Sequence, residues 1–434
     1  MPIASFKQGI KLATEASPSV APAAGAWWQG GRWHDVITDA LPDISDKIGL
    51  IFPTGHSGRR SMNQQAPVVG RKWSEGEFTA NVTADFIGAL LHGALGGLST
   101  NSIPSSTPSL VALEALNAAS KSLVLTNPIS NGGGILRFII SGTSLGGTIY
   151  GSGIDSYGNG ASEQITFSSA GSFYFRTSFS SIAASGIQIT SQNLNGSVTI
   201  DSFQGWEHIF SASDSNPTYS IEKIGDPTAG AASKSFMIPG LLLKELSLNT
   251  AAADNEGIFT ISSSWEGDPT AASNSTAINN ASILRIWPAW TLAINRDGAN
   301  WFKVTNMNMT LNTGNRKYKA AAGKQNPQGE LYLGRSLEAS VDILVDNEVE
   351  YNRWRGASKQ ELTFTWDTDW KLHGSSDMKL TASLTDAYLV NVTGGDDDGA
   401  YQLSGDIRTI AGANDIAKFA LLTGVPGTAY GSPL

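Results

Sequence analysis

Gly76-Glu-Phe-Thr-Ala-Asn-Val82 and, directly after Thr83, Ala84-Asp-Phe-Ile-Gly-Ala-Leu-Leu-His-Gly-Ala-Leu-Gly96 decide how this chain is read. In the first stretch apolar and polar residues alternate, as a strand with one buried face requires. In the second, Phe86, Ile87, Leu90, Leu91, Ala94 and Leu95 fall on one stripe at helical period. Thr83 or Asp85 can cap that helix at its start, and Gly96-Gly97 can stop it. This strand-then-helix pair stands in a chain whose other periodic stretches read mostly as strands.

Outward from this pair, regular structure is expected to begin near Lys47-Ile-Gly-Leu-Ile-Phe52. A polar loop follows from Pro53 to Pro67 with Arg59 and Arg60, and then a Gly70-Arg71 turn with Lys72 beside it. The same order recurs far downstream. Trp290 to Ile294 and Phe302 to Leu311 read as strands. A loop from Gly314 to Gln328 carries Arg316, Lys317, Lys319 and Lys324; then come Gly334-Arg335, a strand Leu337 to Ile343 and a helical segment Asn347 to Arg355. The parallel resumes with Tyr219 to Ile224, Ser235 to Thr250 and Gly257 to Gly267 against Leu362 to Asp367, Met378 to Thr393 and Ala400 to Ile410. Acidic glycine-containing turns precede the last strand in each, Ala253 to Gly257 and Gly394 to Gly399. Order and spacing rather than identities carry this duplication. The competing reading is two unrelated β domains that share generic patterning.

Aligned this way, the first copy holds an insertion between Gly97 and Pro217. It opens on a Ser/Thr/Pro linker and continues with short strands at Ile135–Ile140, Glu163–Phe167, Ser172–Thr177, Gly186–Thr190 and Gly196–Ile200. This spacing suits a small sandwich of immunoglobulin-like size. The expected organisation is an extended arm over 1–35, a discontinuous module over 36–100 and 215–280, the inserted domain over 101–214, a second module over 281–412 and a tail over 413–434. Aromatic residues in the Gly-rich arm, Trp27, Trp28 and Trp33, are expected to dock on this chain or a neighbour.

Composition narrows the function. Charged residues are 15% of the 434, below the roughly 25% of ordinary soluble domains, which suits a surface that neighbours will cover. A net charge of −9 argues against tight duplex binding, because neutralising phosphates needs clustered Lys and Arg. There is no cysteine, so disulfides, thiolate nucleophiles and Cys-ligated metals are excluded. Met1 to Ala26 lacks the apolar core of a signal peptide, and no run approaches a membrane span. The expectation is a soluble protein used without export.

No motif carries chemistry. Gly142-Thr-Ser144-Leu-Gly146 matches a nucleophile elbow, but that elbow needs a helix directly afterwards. Thr148-Ile-Tyr-Gly-Ser-Gly-Ile-Asp-Ser-Tyr-Gly158 cannot supply one, and a hairpin turn explains the glycines better. His34, His56, His92, His208 and His373 are scattered and make no metal-binding pair. Asp396-Asp-Asp398 lacks the alternating ligands and distal Glu of a calcium loop, and reads as a hairpin tip. A catalytic role, a cofactor and a metal are therefore not expected. Two basic loops at one position in both copies of an acidic protein point instead to contacts with an acidic face on a neighbouring subunit.

Together the polar loop, the Gly-Arg pair, the strand Gly76 to Val82, the helix, Pro217 to Ile224 with Phe236-Met-Ile-Pro-Gly240, and the C-terminal copy resemble the tail tube proteins of long-tailed bacteriophages, over residues 45–410. The resemblance implies a β-sandwich or half-barrel module with a flanking helix, closed into six-fold rings whose inner strands line a lumen. It implies that Pro53–Arg71 and Gly314–Gln328 stitch stacked rings together, and that immunoglobulin-like insertions decorate the outside. Partners would be the chain itself, tape measure, tail terminator and distal tail or baseplate proteins, and DNA in passing. The place would be the virion tail, assembled in the cytoplasm of the bacterial host. With two modules per chain, three chains would make a pseudo-six-fold ring, and an acidic lumen would repel phosphates. The rival expectation is a β-rich decoration protein or adhesin that binds a receptor or glycan through the inserted domain.

Overall fold

The computed structural model describes residues 9–15, 33–38, 43–51, 68–103, 110–116, 120–125, 127, 129, 134–143, 146–156, 158–191, 196–203, 205–224, 234–251, 257–274, 286–301, 304–318, 329–344, 352, 355–373, 376–397, 400–409, 417–424 and 430. The first half runs β1 (Gly9–Thr14), β2 (Trp33–Val36), β3 (Ser45–Ile51), β4 (Val68–Asn81), α1 (Ala84–Leu95) and β5 (Gly96–Ser102). After it come β6 (Val111–Leu116), β7 (Ser120–Leu123), β8 (Gly134–Gly142), β9 (Gly147–Asp155), β10 (Gly160–Phe167), β11 (Gly171–Ser191) and β12 (Gly196–Phe203). The chain then returns through β13 (Trp206–Ala212), β14 (Tyr219–Ile224), β15 (Lys234–Ala251), β16 (Thr260–Gly267) and β17 (Ala271–Asn274). A 3-10 turn at Ala289–Thr291 leads into β18 (Leu292–Arg296), β19 (Ala299–Asn300), β20 (Val304–Asn312), β21 (Asn315–Tyr318), β22 (Gly329–Tyr332) and β23 (Ser336–Leu344). Four strands finish it: β24 (Gln360–His373), β25 (Ser376–Asp397), β26 (Ala400–Thr409) and β27 (Lys418–Thr423). The fold is mainly β, as expected, with the sheets forming a nearly closed half-barrel.

One pairing order occurs twice. In the first half β3 pairs β4, β4 pairs β16, β16 pairs β15, and β14 lies beside β15. In the second, β20 pairs β23, β23 pairs β26, β26 pairs β25, and β24 lies beside β25. The irregularities match as well. Tyr219↔Leu241 gives way to Ile221↔Ile238, and Gln360↔Ala387 gives way to Leu362↔Leu384, the same slip in both. β15 carries one extra residue against β16 at Lys244, and β25 one against β26 between Val390 and Thr393. The β3–β4 register shifts by one after Ile48↔Lys72, as it does from β20–β23 (Asn312↔Ser336) into the β21–β22 hairpin (Asn315↔Tyr332).

β15 welds the halves together. Its N-terminal part lies between β14 and β17, and its C-terminal part between β16 and β20. β14 and β20 therefore occupy successive stretches of one edge of β15. Core-facing Leu246 meets Leu311 and Leu248 meets Met309 across this joint, all within 2% of full burial. On the other face the Ser247 and Thr310 hydroxyls are 2.8 Å apart.

The predicted helix forms at Ala84–Leu95. Thr83 holds the N-cap position without a side-chain hydrogen bond, and Gly96 ends it in left-handed conformation, its N–H reaching the His92 carbonyl. Two aromatic rings press on this helix where glycine leaves room. A Cβ on Gly88 would sit 2.5 Å from the Tyr430 ring, and one on Gly93 2.9 Å from the Tyr219 ring. Each tyrosine hydroxyl donates to a helix carbonyl, Tyr430 to Ala84 and Tyr219 to Ala89. The second helical candidate, 347–355, lies largely outside the described residues, although the Gly356 N–H donates to the Asn352 carbonyl as one helical turn would.

Several expectations need correction. Regular structure starts at β1, not near Lys47: β1 lies between β2 and β14, with Ile10 and Leu12 in the main core. Residues 418–423 are no trailing segment, because β27 pairs both β13 and β25. The strands expected at 172–177 and 186–190 are one strand, β11, which pairs β8 along its first part and β9 and β7 further on. β8 and β9 do not form the expected hairpin: β8 pairs β11 and β12, whereas β9 pairs β10 and β11. Strands β6 to β12 enclose a core of their own around Phe138, Phe175 and Phe179. β5 and β13, paired with each other, lead into and out of this unit.

Candidate functional site

The broad sheet β4–β16–β15–β20–β23–β26 has two unlike faces. Phe78, Ile261, Leu246, Met309, Val341 and Ile407 point into the main core. Period-2 alternation sends their neighbours to the opposite face, where opposed residues form continuous rows. One row runs Thr79, Ser262, Ser247, Thr310, Glu338, Arg408; the next runs Asn249, Asn308, Ser340, Asp406. Glu77, Glu245, Asp342 and Ser404 belong to the same face, and Glu77, Glu245 and Glu338 are exposed there. Small hydroxyl and amide side chains, with these carboxylates, thus pave an acidic face, and Asn308, Thr310, Glu338, Ser340, Asp406 and Arg408 line a cavity on it. Among the described residues no group of His, Cys, Asp or Glu could hold a metal ion.

The basic residues expected on contact loops are placed differently. Arg71 and Lys72 belong to β4, so Gly70-Arg71 is strand and not a turn. Arg316 and Lys317 belong to β21. Lys317 is 7% exposed, and its backbone N–H donates to the buried carboxylate of Glu266, so it faces inward. Arg59, Arg60, Lys319 and Lys324 lie outside the described residues, as do Trp27 and Trp28. Trp33 is buried opposite Ala13 in the β1–β2 pair and packs with Ala13 and Met237 of its own chain.

Sequence reading missed Arg335 as a contact residue. Its guanidinium donates to the Ala94 carbonyl, the Ser213 carbonyl and the Asn216 side chain. It thus ties the second half to the C-terminal, electronegative end of α1 and to the return from the β6–β12 unit. Arg335→Met is expected to cost about 2 kcal/mol, because a charged donor to three acceptors is lost; urea unfolding reads this directly. The histidines that look scattered in sequence also converge in part. His34 stacks on Tyr430 and His208 meets the same ring edge-on, while His92 Nδ1 lies 2.7 Å from the Tyr430 carbonyl. Burial holds the His92 imidazole below its ordinary pKa.

The elbow-like Gly142–Gly146 stretch leads into β9, a strand, where a nucleophile elbow needs a helix; Ser144 itself lies outside the described residues. Compared with known families, residues 6–423 match the model of the phage tail tube protein family. The chain belongs to the phage tail tube family. It is a structural subunit of the virion tail, where such subunits stack and associate with other tail components. No curated protein matches the chain. Nothing supports the adhesin alternative.

Proposed function

We propose that this tail tube subunit contains two copies of one tube module, and that three chains close into a ring of six modules which stacks into the tail's hollow conduit. The observation that carries this is the doubled pairing order with its matching bulges. A bulge breaks a ladder and re-aims a strand, so generic β patterning has no reason to repeat three irregularities at equivalent places. The acidic, hydroxyl-lined face of β4–β16–β15–β20–β23–β26 is the lumen wall in this reading. Carboxylates there repel passing phosphates, and small neutral groups offer DNA no lasting contact. The β6–β12 unit, with its own core, is the decoration on the outside. Segments 53–67 and 319–328, with Arg59, Arg60, Lys319 and Lys324, stitch successive rings. Tape measure, tail terminator and distal tail proteins cap and fill the tube, which is assembled in the host cytoplasm without a catalytic role for this chain.

Native mass spectrometry of isolated rings tests the count. Three full-length chains per ring are expected, and six would overturn the two-module reading.

A further inference from the structure

The joint inside the chain is a template for the joint between chains. Along β15, one edge is filled first by β14 and then by β20. Along β25, the equivalent edge is filled by β24 only up to Ala387; beyond that point β25 pairs β26 on its other side. Among the described residues nothing pairs with the remaining stretch of that edge, Tyr388 to Asp397. At the far end of the sheet, β4 is the one strand paired with β3 among the described residues, whereas its counterpart β20 has β15 on the outer side.

Exposure marks both edges as unfinished. Leu246 and Leu248, beside β20, are fully buried, while Thr393, Gly394 and Gly395 of β25 are exposed. Ile48, in the middle of β3, is 54% exposed, and its counterpart Thr313 is 1% exposed where its N–H donates to the Lys244 carbonyl of β15. Two edges at opposite ends of one sheet, each without a partner strand among the described residues, invite head-to-tail addition, and a heterologous contact that closes makes a ring.

We propose that β3 of one chain adds antiparallel to the Tyr388–Asp397 stretch of β25 in a second copy, in the register of β20 on β15. The matched irregularities set that register: Ser45 falls opposite Thr393, and Lys47 opposite Asn391. Ser45 and Thr393 are the counterparts of Thr310 and Ser247, so the hydroxyl pair at the intrachain joint is rebuilt across the interface. This rests on the repeated-module reading above, and adds to it which strands meet and in what register.

The chain has no cysteine, so engineered thiols report cleanly. Ser45→Cys/Thr393→Cys is the test variant and Ser247→Cys/Thr310→Cys the control, both oxidised mildly as assembled protein, imaged by negative-stain microscopy and run on non-reducing gels. The test variant is expected to give a reducible ladder of covalent dimers and closed trimers that neither single substitution gives. The control is expected to cross-link only within the chain. Rings or tubes whose test variant stays unlinked while the control links would overturn the strand assignment and leave the ring reading standing. A cross-link confined to one chain would overturn the assignment equally. Discrete monomers in every image would overturn the ring reading itself.

Discussion

A chain cut after Gly412 is expected to lose most of its stability. The cut removes β27, whose Phe419 and Leu421 are fully buried, and Tyr430, whose ring fills the space above Gly88. Burying a large apolar side chain contributes roughly 1.5–3 kcal/mol, so these three account for on the order of 6 kcal/mol. Total stabilities are about 5–15 kcal/mol. The cut also leaves β13 and β25 each with an edge that β27 had paired. Aggregation on expression, or a melting temperature lower by more than about 10 °C, is the expected result. Point variants divide the effect: Tyr430→Ala should cost about 3–5 kcal/mol, and Tyr430→Phe, which loses only the hydrogen bond to the Ala84 carbonyl, about 1 kcal/mol. Melting of Tyr430→Ala at the wild-type temperature would show that the C-terminal segment does not brace the helix.

Lys11→Met is expected to be nearly as damaging. Lys11 in β1 stands directly opposite Glu222 in β14, and the two are 1% and 0% exposed. Beside them the buried Glu15 carboxylate accepts hydrogen bonds from the Ser220 hydroxyl and the Gly240 N–H. Taking away the cation strands buried negative charge, which typically costs 3–5 kcal/mol, whereas replacing both partners by apolar side chains is often close to neutral. Lys11→Met/Glu222→Leu should therefore recover most of the loss. Urea unfolding of the wild type, both single variants and the double variant closes the cycle. Additive losses in the double variant would mean that the two residues act independently.

What could be read in advance follows a physical division. Strands such as β4, β20 and β23 announce themselves because one face is buried and the other is wet, which writes alternation into the sequence. α1 is legible for the same reason at its own period. β1 is not, because Lys11 sits among its apolar residues and is buried opposite a carboxylate; a lysine in sequence looks like solvent. β27 has perfect alternation, with Phe419, Leu421 and Thr423 buried, but it lies past the end of the repeat and so reads as a tail. The placement of the basic residues was not legible. Basic character suggested loops, yet Lys317 turned inward, and Arg335 became a contact through partners some 120 and 240 residues away. Such placements depend on how distant strands register, which local pattern does not encode. Which carboxylates share the face of β4, β16, β15, β20, β23 and β26 was not legible either, because only the strand pairing brings them side by side.

The position of β27 also has a consequence for biosynthesis. β13 is translated roughly 200 residues before the strand that pairs its outer edge. At about 5–20 residues per second, that edge waits on the order of ten seconds or more on the ribosome. A nascent subunit therefore stays unfinished, with its sheet incomplete and Tyr430 not yet packed on its helix, until β27 and Tyr430 have been made. Premature pairing with a neighbouring nascent chain is the hazard of that interval, and the emergence of β27 is the condition for leaving it.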